Sequence, residues 1–260
     1  MTEAAFLQAF GTFLIAMVRI GGALINLPAF GEAIVPNRIK IALSAFCSAL
    51  ILPHLLKTQV LPNLSVIGYG IMAAKELFIG LILGFIILIA LDALKYAGEL
   101  MGMQVGFSFV QVVDPESSRG QAILAEFMQV LGVLLFLSLN GHIIFMCAFM
   151  QSFDVIPLAG MNISASLTAE IGRLSAQIFW IGLQLSMPIV SIILISDVAL
   201  GIIAKTVPRM NIFQVGFALK ISFGLWLLTL LIPYFHQTII SLFHQSYGSI
   251  GTILQLMGGK

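Results

Sequence analysis

Charge is what this chain has least of. Only 9% of its 260 residues are Asp, Glu, Lys or Arg, where soluble domains carry about a quarter, while 60% are hydrophobic and the mean hydropathy is +1.09. So little polar surface cannot clothe a water-exposed globule of this length, which puts the chain in or against a membrane, or inside an oligomer. Its 12 basic and 11 acidic residues sum to a net charge of +1, and no basic tract gathers them, so nothing here suits a nucleic acid or an acidic substrate. Cysteine is almost absent: Cys47 and Cys147 lie far apart, each in an apolar run with no Cys or His at ligand spacing, and are expected as core thiols. Catalytic signatures are missing too. There is no glycine loop followed by Lys-Ser/Thr, no HExxH, no GxSxG and no carboxylate pair set in an apolar segment, so no enzyme, metal site or cofactor is expected. The apolar run from Ala4 to Ala29 has no basic segment before it and no evident small-residue cleavage site, which predicts that no signal peptide is cleaved.

What is present is a series of apolar runs, which predict an all-α, membrane-associated fold of helical hairpins. Arg19 interrupts the first run near its middle, a costly depth for a charge unless it faces protein or water, so this helix is expected to pack inward. Leu27-Pro28, Gly31 and Val35-Pro36 break the chain before Arg38 and Lys40 lead into a second run from Ile41 to Leu56, giving a first hairpin. A third segment runs from Ser65 to about Leu94 and carries Lys75-Glu76. Gly80 and Gly84, four residues apart, mark a helix packed against protein and kept out of bulk lipid. Asp92, Lys95 and Glu99 fall close on one helical face and read either as a linked ion triplet or as a solvated helix end.

The stretch unlike its neighbours is GELMGMQVGFSFVQVVDPESSRG, Gly98 to Gly120. Gly98, Gly102 and Gly106 recur every four residues and lay a bare stripe along a helix, where another backbone can come close. From Phe107 aromatic residues alternate with small or branched ones until Asp114-Pro115 closes the pattern, because proline disfavours helix at the residue before it. This predicts a close-packing helix opening into a constrained loop.

Gln121 to Phe153 is apolar apart from Glu126, and the turn dipeptide Asn140-Gly141 makes it either one kinked helix or two helices bent at Asn140, with the bend favoured. His142 has no second histidine or carboxylate at helical spacing and is expected as an ordinary interfacial or hydrogen-bonded residue. Asp154 to Ala169 is the most linker-like stretch, with Pro157, Gly160, Asn162 and several Ser and Thr residues. Beyond it lie two runs, Leu174 to Ser196 and Ile221 to Gly259, each long enough to cross a bilayer. They are joined by DVALGIIAKTVPRMN, expected as the polar tip of a hairpin bearing Lys205, Pro208 and Arg209. Broken apolar helices with isolated charges also fit a secondary transporter or a channel subunit of the inner membrane. The short chain and the lack of two matching halves argue against that reading.

Four blocks carry a family resemblance: PAFGEAIVPNRIKI (Pro28 to Ile41), the Gly98 to Pro115 part of the glycine block, LLFLSLNGH (Leu134 to His142), and LSMPIVSIILISDVALGIIAKTVPRMNIFQVGFALKI (Leu185 to Ile221). In order and spacing the chain resembles the FliR family of flagellar export-gate subunits over nearly its whole length, and it is similar in outline to the injectisome family SctT. The resemblance implies a subunit that joins FliP-like and FliQ-like subunits, with FlhB-like and FlhA-like gate components, in a closed helical cone. That cone would form the entry pore for unfolded flagellar substrates in the export apparatus of the flagellar basal body, at the bacterial inner membrane. It further implies that residues 1–160 are FliP-like and 161–260 FliQ-like. In that family the loop after the glycine block helps to close the pore, which here assigns Gly106, Phe107, Phe109, Val110, Val112, Val113, Asp114 and Pro115 to a plug.

Overall fold

The structure is a computed structural model that describes residues 3–27, 35–62, 65–107, 123–206 and 212–259. Every regular element among them is helical: α1 (Glu3–Asn26), α2 (Asn37–Thr58), α3 (Val66–Val105), α4 (Ile123–Ser138), α5 (Gly141–Val155), α6 (Ala165–Thr206) and α7 (Ile212–Gly258). The expected bend at Asn140 is a break between two helices, and Asn140 takes the left-handed conformation (φ 54°) that asparagine tolerates better than most residues.

The chain forms two compact units, each drawing residues from both sides of position 160. One comprises Met1–Ile89, Asn140–Leu174 and Phe243–Lys260, the other Ala90–Leu139 and Ser175–Leu242. In the first, α1 lies backbone to backbone along the start of α3. A methyl group added at Gly84 would stand 2.7 Å from the Ala23 carbonyl oxygen, and one at Gly22 the same distance from that of Leu77. The Ser48 hydroxyl donates to the Phe13 carbonyl at 2.7 Å and ties α2 to α1. Phe145, Phe149 and Phe153, four apart on α5, bury one ring per turn in this unit's core. In the second unit, α3 meets α4 at Gly98, where an added methyl group would lie 2.5 Å from Ala125 Cα. Gly182 of α6 accommodates Tyr96 in the same way, and Gly224 of α7 accommodates Val105.

Several elements depart from the sequence reading. The third segment does not stop near Leu94, because α3 continues unbroken to Val105 and the glycine stripe is its last part. The linker-like stretch is shorter and is packed: only 156–164 lies between α5 and α6, and Ile156, Leu158 and Met161 are buried there. Pro157 and Gly160 close one tight turn, the Gly160 N–H donating to the Pro157 carbonyl at 2.8 Å, and the Asn162 N–H donates to the Met257 carbonyl, so these residues serve packing rather than freedom. The hairpin tip also shrinks, since α6 runs to Thr206 and α7 starts at Ile212. The segment from Asp197 is therefore helical, and Asp197 pairs with Lys220 at 2.5 Å instead of charging a loop. No salt bridge joins Asp92, Lys95 and Glu99 among the described residues, and all three are half-buried on α3. Neither cysteine is in the core: Cys147 is exposed and Cys47 partly so, because the apolar faces of α2 and α5 that carry them do not all point inward.

Among the described residues five helices are long and apolar enough to cross a membrane, or up to six if the α4–α5 pair counts as one span. Their burial differs sharply. The most apolar part of α3 is 67% buried, that of α6 only 11% and that of α7 only 17%, so α3 is a core helix while α6 and α7 turn most of their apolar surface outward. Along α7 the exposed residues change character. Val215, Leu219, Leu225, Trp226, Leu230, Ile232 and Tyr234 are exposed. From Phe235 onward the apolar Ile239, Phe243, Ile250 and Ile253 are buried, while His236, Gln237, His244, Gln245 and Gln255 face out.

Candidate functional site

The glycine stripe and the loop it leads into are the first candidate. Gly98 is buried against the backbone of Leu124 and Ala125, and Gly102 is buried one turn further on. Gly80 and Gly84 form the matching stripe on the other stretch of α3. A methyl group on Gly80 would strike the carbonyl oxygen of Arg19 and stand 2.8 Å from the Ala23 nitrogen. Gly80, Gly84 and Gly98 therefore do what four-residue spacing suggests, which is to let helix backbones touch.

The end of α3 is a built stop. The N–H groups of Gly106 and Phe107 both donate to the Gly102 carbonyl, at 3.1 and 3.0 Å, and Gly106 adopts φ +102°, a conformation open to glycine and strained for other residues. Two donors on one carbonyl satisfy a helix end and turn the chain sharply away. Gly106 faces the Phe217 ring of α7, whose nearest carbon would be 3.4 Å from an added methyl group. Phe107 is half-buried. The remaining expected plug residues, Phe109, Val110, Val112, Val113, Asp114 and Pro115, lie outside the described residues, as do Pro208 and Arg209 of the hairpin tip. Lys205 is exposed in the last turn of α6. Close below that end Asp197 accepts from Lys220 and, at 3.5 Å, from the Gln104 amide, so α3, α6 and α7 share one charge cluster.

A second constellation was only half legible in the sequence. Arg19 and Glu76 are both fully buried, and they pair with each other, Arg19 Nε to Glu76 Oε2 at 2.5 Å. The guanidinium also donates to the Ser152 carbonyl (3.0 Å), the Ser152 hydroxyl (3.3 Å) and the Ile156 carbonyl (3.1 Å), and it stands 4.2 Å from the Phe153 ring centre. The other oxygen of Glu76, Oε1, accepts from the Ala159 N–H at 3.0 Å. The expectation that Arg19 needs a protein partner is met inside the chain. Arg19 was visible as a lone charge in an apolar run and Glu76 as one of the adjacent opposite charges Lys75-Glu76, and nothing in the local pattern paired Glu76 with Arg19 rather than with its neighbour. Beside them Gln59 donates to the Phe153 carbonyl at 2.7 Å and accepts from the Leu158 N–H at 2.8 Å, a contact no local pattern announced.

His142 sits in the first turn of α5 with its Nδ1 buried and unpartnered among the described residues. No cluster of three or more His, Cys, Asp or Glu able to hold a metal occurs among those residues. The chemistry on view is packing, capping and charge burial.

Residues 10–246 match the family of bacterial export proteins, family 1. The chain is 31% identical to the flagellar biosynthetic protein FliR of Pectobacterium carotovorum subsp. carotovorum, over 93% of this chain and 92% of that one. It is 29% identical to the FliR protein of Escherichia coli (strain K12), over 98% and 97% of the two chains. The FliR protein of Bacillus subtilis (strain 168) is likewise 29% identical, over 98% of both. With a family match across most of its length and relatives covered almost end to end, the chain belongs to the FliR family of bacterial export proteins.

Proposed function

We propose that this protein is the FliR-type subunit of a flagellar type III export gate, lining the pore for unfolded substrates and helping to seal it. The observation that carries the reading is the end of α3. A helix packed through glycines is stopped by paired N–H donors at Gly102 and a left-handed Gly106, and there it releases the alternating apolar stretch that begins at Phe107. Such an end holds an apolar loop at a fixed root. An apolar constriction resists water and ions by dewetting, yet its non-directional contacts yield to a sliding chain. Phe107, Phe109, Val110, Val112 and Val113 form the plug on this reading, and Asp114-Pro115 its turn. Residues 1–160 are the FliP-like part and 161–260 the FliQ-like part. The partners are FliP-like and FliQ-like subunits with FlhB-like and FlhA-like gate components, at the inner membrane in the flagellar basal body. The outward apolar faces of α6 and α7 supply surface for such neighbours, and the protein acts by assembly rather than catalysis. Changing Phe107, Phe109 and Val110 to Ser in cells that make the whole complex should raise ion conductance or small-solute uptake while assembly continues. An assembled complex that lacks 108–119 and stays tight would assign closure to the partner subunits and refute the plug.

A further inference from the structure

We propose that Arg19 and Glu76 are a positioning pair that locks the 156–164 connector, making it a fixed joint between α5 and the C-terminal helices. The case begins with acceptors. The Ser152 carbonyl already accepts from the Ile156 N–H at 2.9 Å and takes Arg19 as a second donor, while the Ile156 carbonyl, one residue past the end of α5 where the helix supplies no partner, accepts from the same guanidinium. A guanidinium carries five N–H donors in a rigid fork and can serve several acceptors at once while keeping a carboxylate. Arg19 does this: Nε goes to Glu76, one terminal nitrogen to Ser152 and the other to Ile156. A lysine carries its three donors on one nitrogen, so it cannot span acceptors served here by three separate nitrogens, and it has no plane to lie against Phe153.

Glu76 completes the lock from the other side. Its second oxygen takes the N–H of Ala159, a residue held at φ +66°, a left-handed backbone that alanine keeps only when its surroundings impose it. Three residues later the Asn162 N–H donates to the Met257 carbonyl at 2.9 Å, near the end of α7. Gly258 lies against Val155, whose carbonyl oxygen would be 3.0 Å from an added methyl group. The connector is therefore bonded to α1 and α3 through the charge pair, to Gln59, the residue that caps the end of α2, and to α7 through Asn162. All of these contacts fall within one compact unit. A pair retained only for stability would have little need of connector backbone as a partner, because buried ion pairs are commonly replaceable by apolar residues of similar volume. This pair spends three of its contacts on backbone groups of α5 and the connector.

The test separates positioning from stability by mapped proteolysis of the full-length chain, in native membranes opened with mild detergent and treated with proteinase K. Pro157, Gly160, Asn162 and Ile163 are exposed, so cleavage there reports opening of the joint. Glu76→Gln offers one acceptor oxygen, which can serve Arg19 or Ala159 but not both, and should raise connector cleavage about a hundredfold, since cleavage follows the population of the open form. The core truncation Leu83→Ala, in the same unit, should lower the melting midpoint without selective cleavage at 157–163. The double variant Arg19→Met with Glu76→Met removes the charges and refills the space, so it should melt near the wild type while its connector is still cut. A double variant whose connector is as protected as the wild type overturns the proposal, and so does equal connector cleavage in Leu83→Ala.

Discussion

Adding one carbon at Gly98 is the sharpest test of close helix packing in this fold. In Gly98→Ala the new methyl group would lie 2.5 Å from both Ala125 Cα and the Leu124 carbonyl oxygen, and 2.7 Å from the Ala125 nitrogen, where ordinary contact is 3.4–4 Å. All three atoms are backbone, so no side chain can swing aside, and α3 and α4 must separate by roughly 1 Å, forfeiting a large share of the dispersion contacts along their seam. Overpacking of this kind costs about 1–3 kcal/mol, and an obstacle made of backbone puts the cost at the upper end. Alanine returns up to about 1 kcal/mol through its helix propensity, which leaves a net loss of about 2 kcal/mol, or roughly thirtyfold in the folded ratio. The control is Gly172→Ala in α6, where nothing stands within 4 Å of the added carbon and propensity should act alone. Thermal melting followed by helical circular dichroism, on complexes extracted in one detergent, should put Gly98→Ala several degrees below Gly172→Ala. A Gly98→Ala midpoint equal to or above that of Gly172→Ala would refute the claim that this glycine exists for backbone contact.

Two further outcomes follow from the same geometry. Gly106→Ala must place an L-residue at φ +102°, which should cost about 1–2 kcal/mol and, on the proposed gate reading, loosen the root of the loop, so that small-solute leakage rises in assembled complexes even though the side chains proposed as the plug are intact. The chain expressed without its partners should aggregate or be degraded, because α6 and α7 leave Phe179, Trp180, Ile195 and Trp226 exposed. Co-expression should rescue it, and a stable, monodisperse monomer in detergent would count against the assembly reading.

Local pattern made part of this molecule legible. The four-residue glycine spacings at Gly80, Gly84 and Gly98 signalled backbone contact because spacing on a helix translates directly into a face, and each proved to meet a neighbouring helix. Asn140 announced its break because few other residues accept a left-handed backbone. What stayed hidden depended on distance along the chain. Arg19 and Glu76 are 57 positions apart, Gln59 reaches 94 positions to Phe153, and no periodicity encodes such meetings. The connector was misjudged for a different reason: glycine, proline and asparagine mark turns equally well in a free linker and in a packed joint, and only the burial of Ile156, Leu158 and Met161 tells them apart. The hairpin tip was drawn too long because Asp197 and Lys205 suggested a loop, while helix propensity and the Asp197–Lys220 pair carried α6 through them.

The change of exposed surface along α7 limits how much of that helix a bilayer could hold. With 47 residues at about 1.5 Å each, the helix is about 70 Å long, more than twice the roughly 30 Å of hydrocarbon in a bilayer. Even at a tilt of about 40° the hydrocarbon accommodates only some 26 residues, so part of α7 must stand in another medium. The outward apolar positions run from Val215 to Tyr234, a rise of about 30 Å, one hydrocarbon thickness. Beyond Tyr234 the helix presents histidine and glutamine, groups that want water or a polar partner. A single uninterrupted helix thus changes its outward surface near Tyr234 and His236, from apolar groups suited to lipid or to a neighbouring subunit to groups that want water or a polar partner over its last six turns.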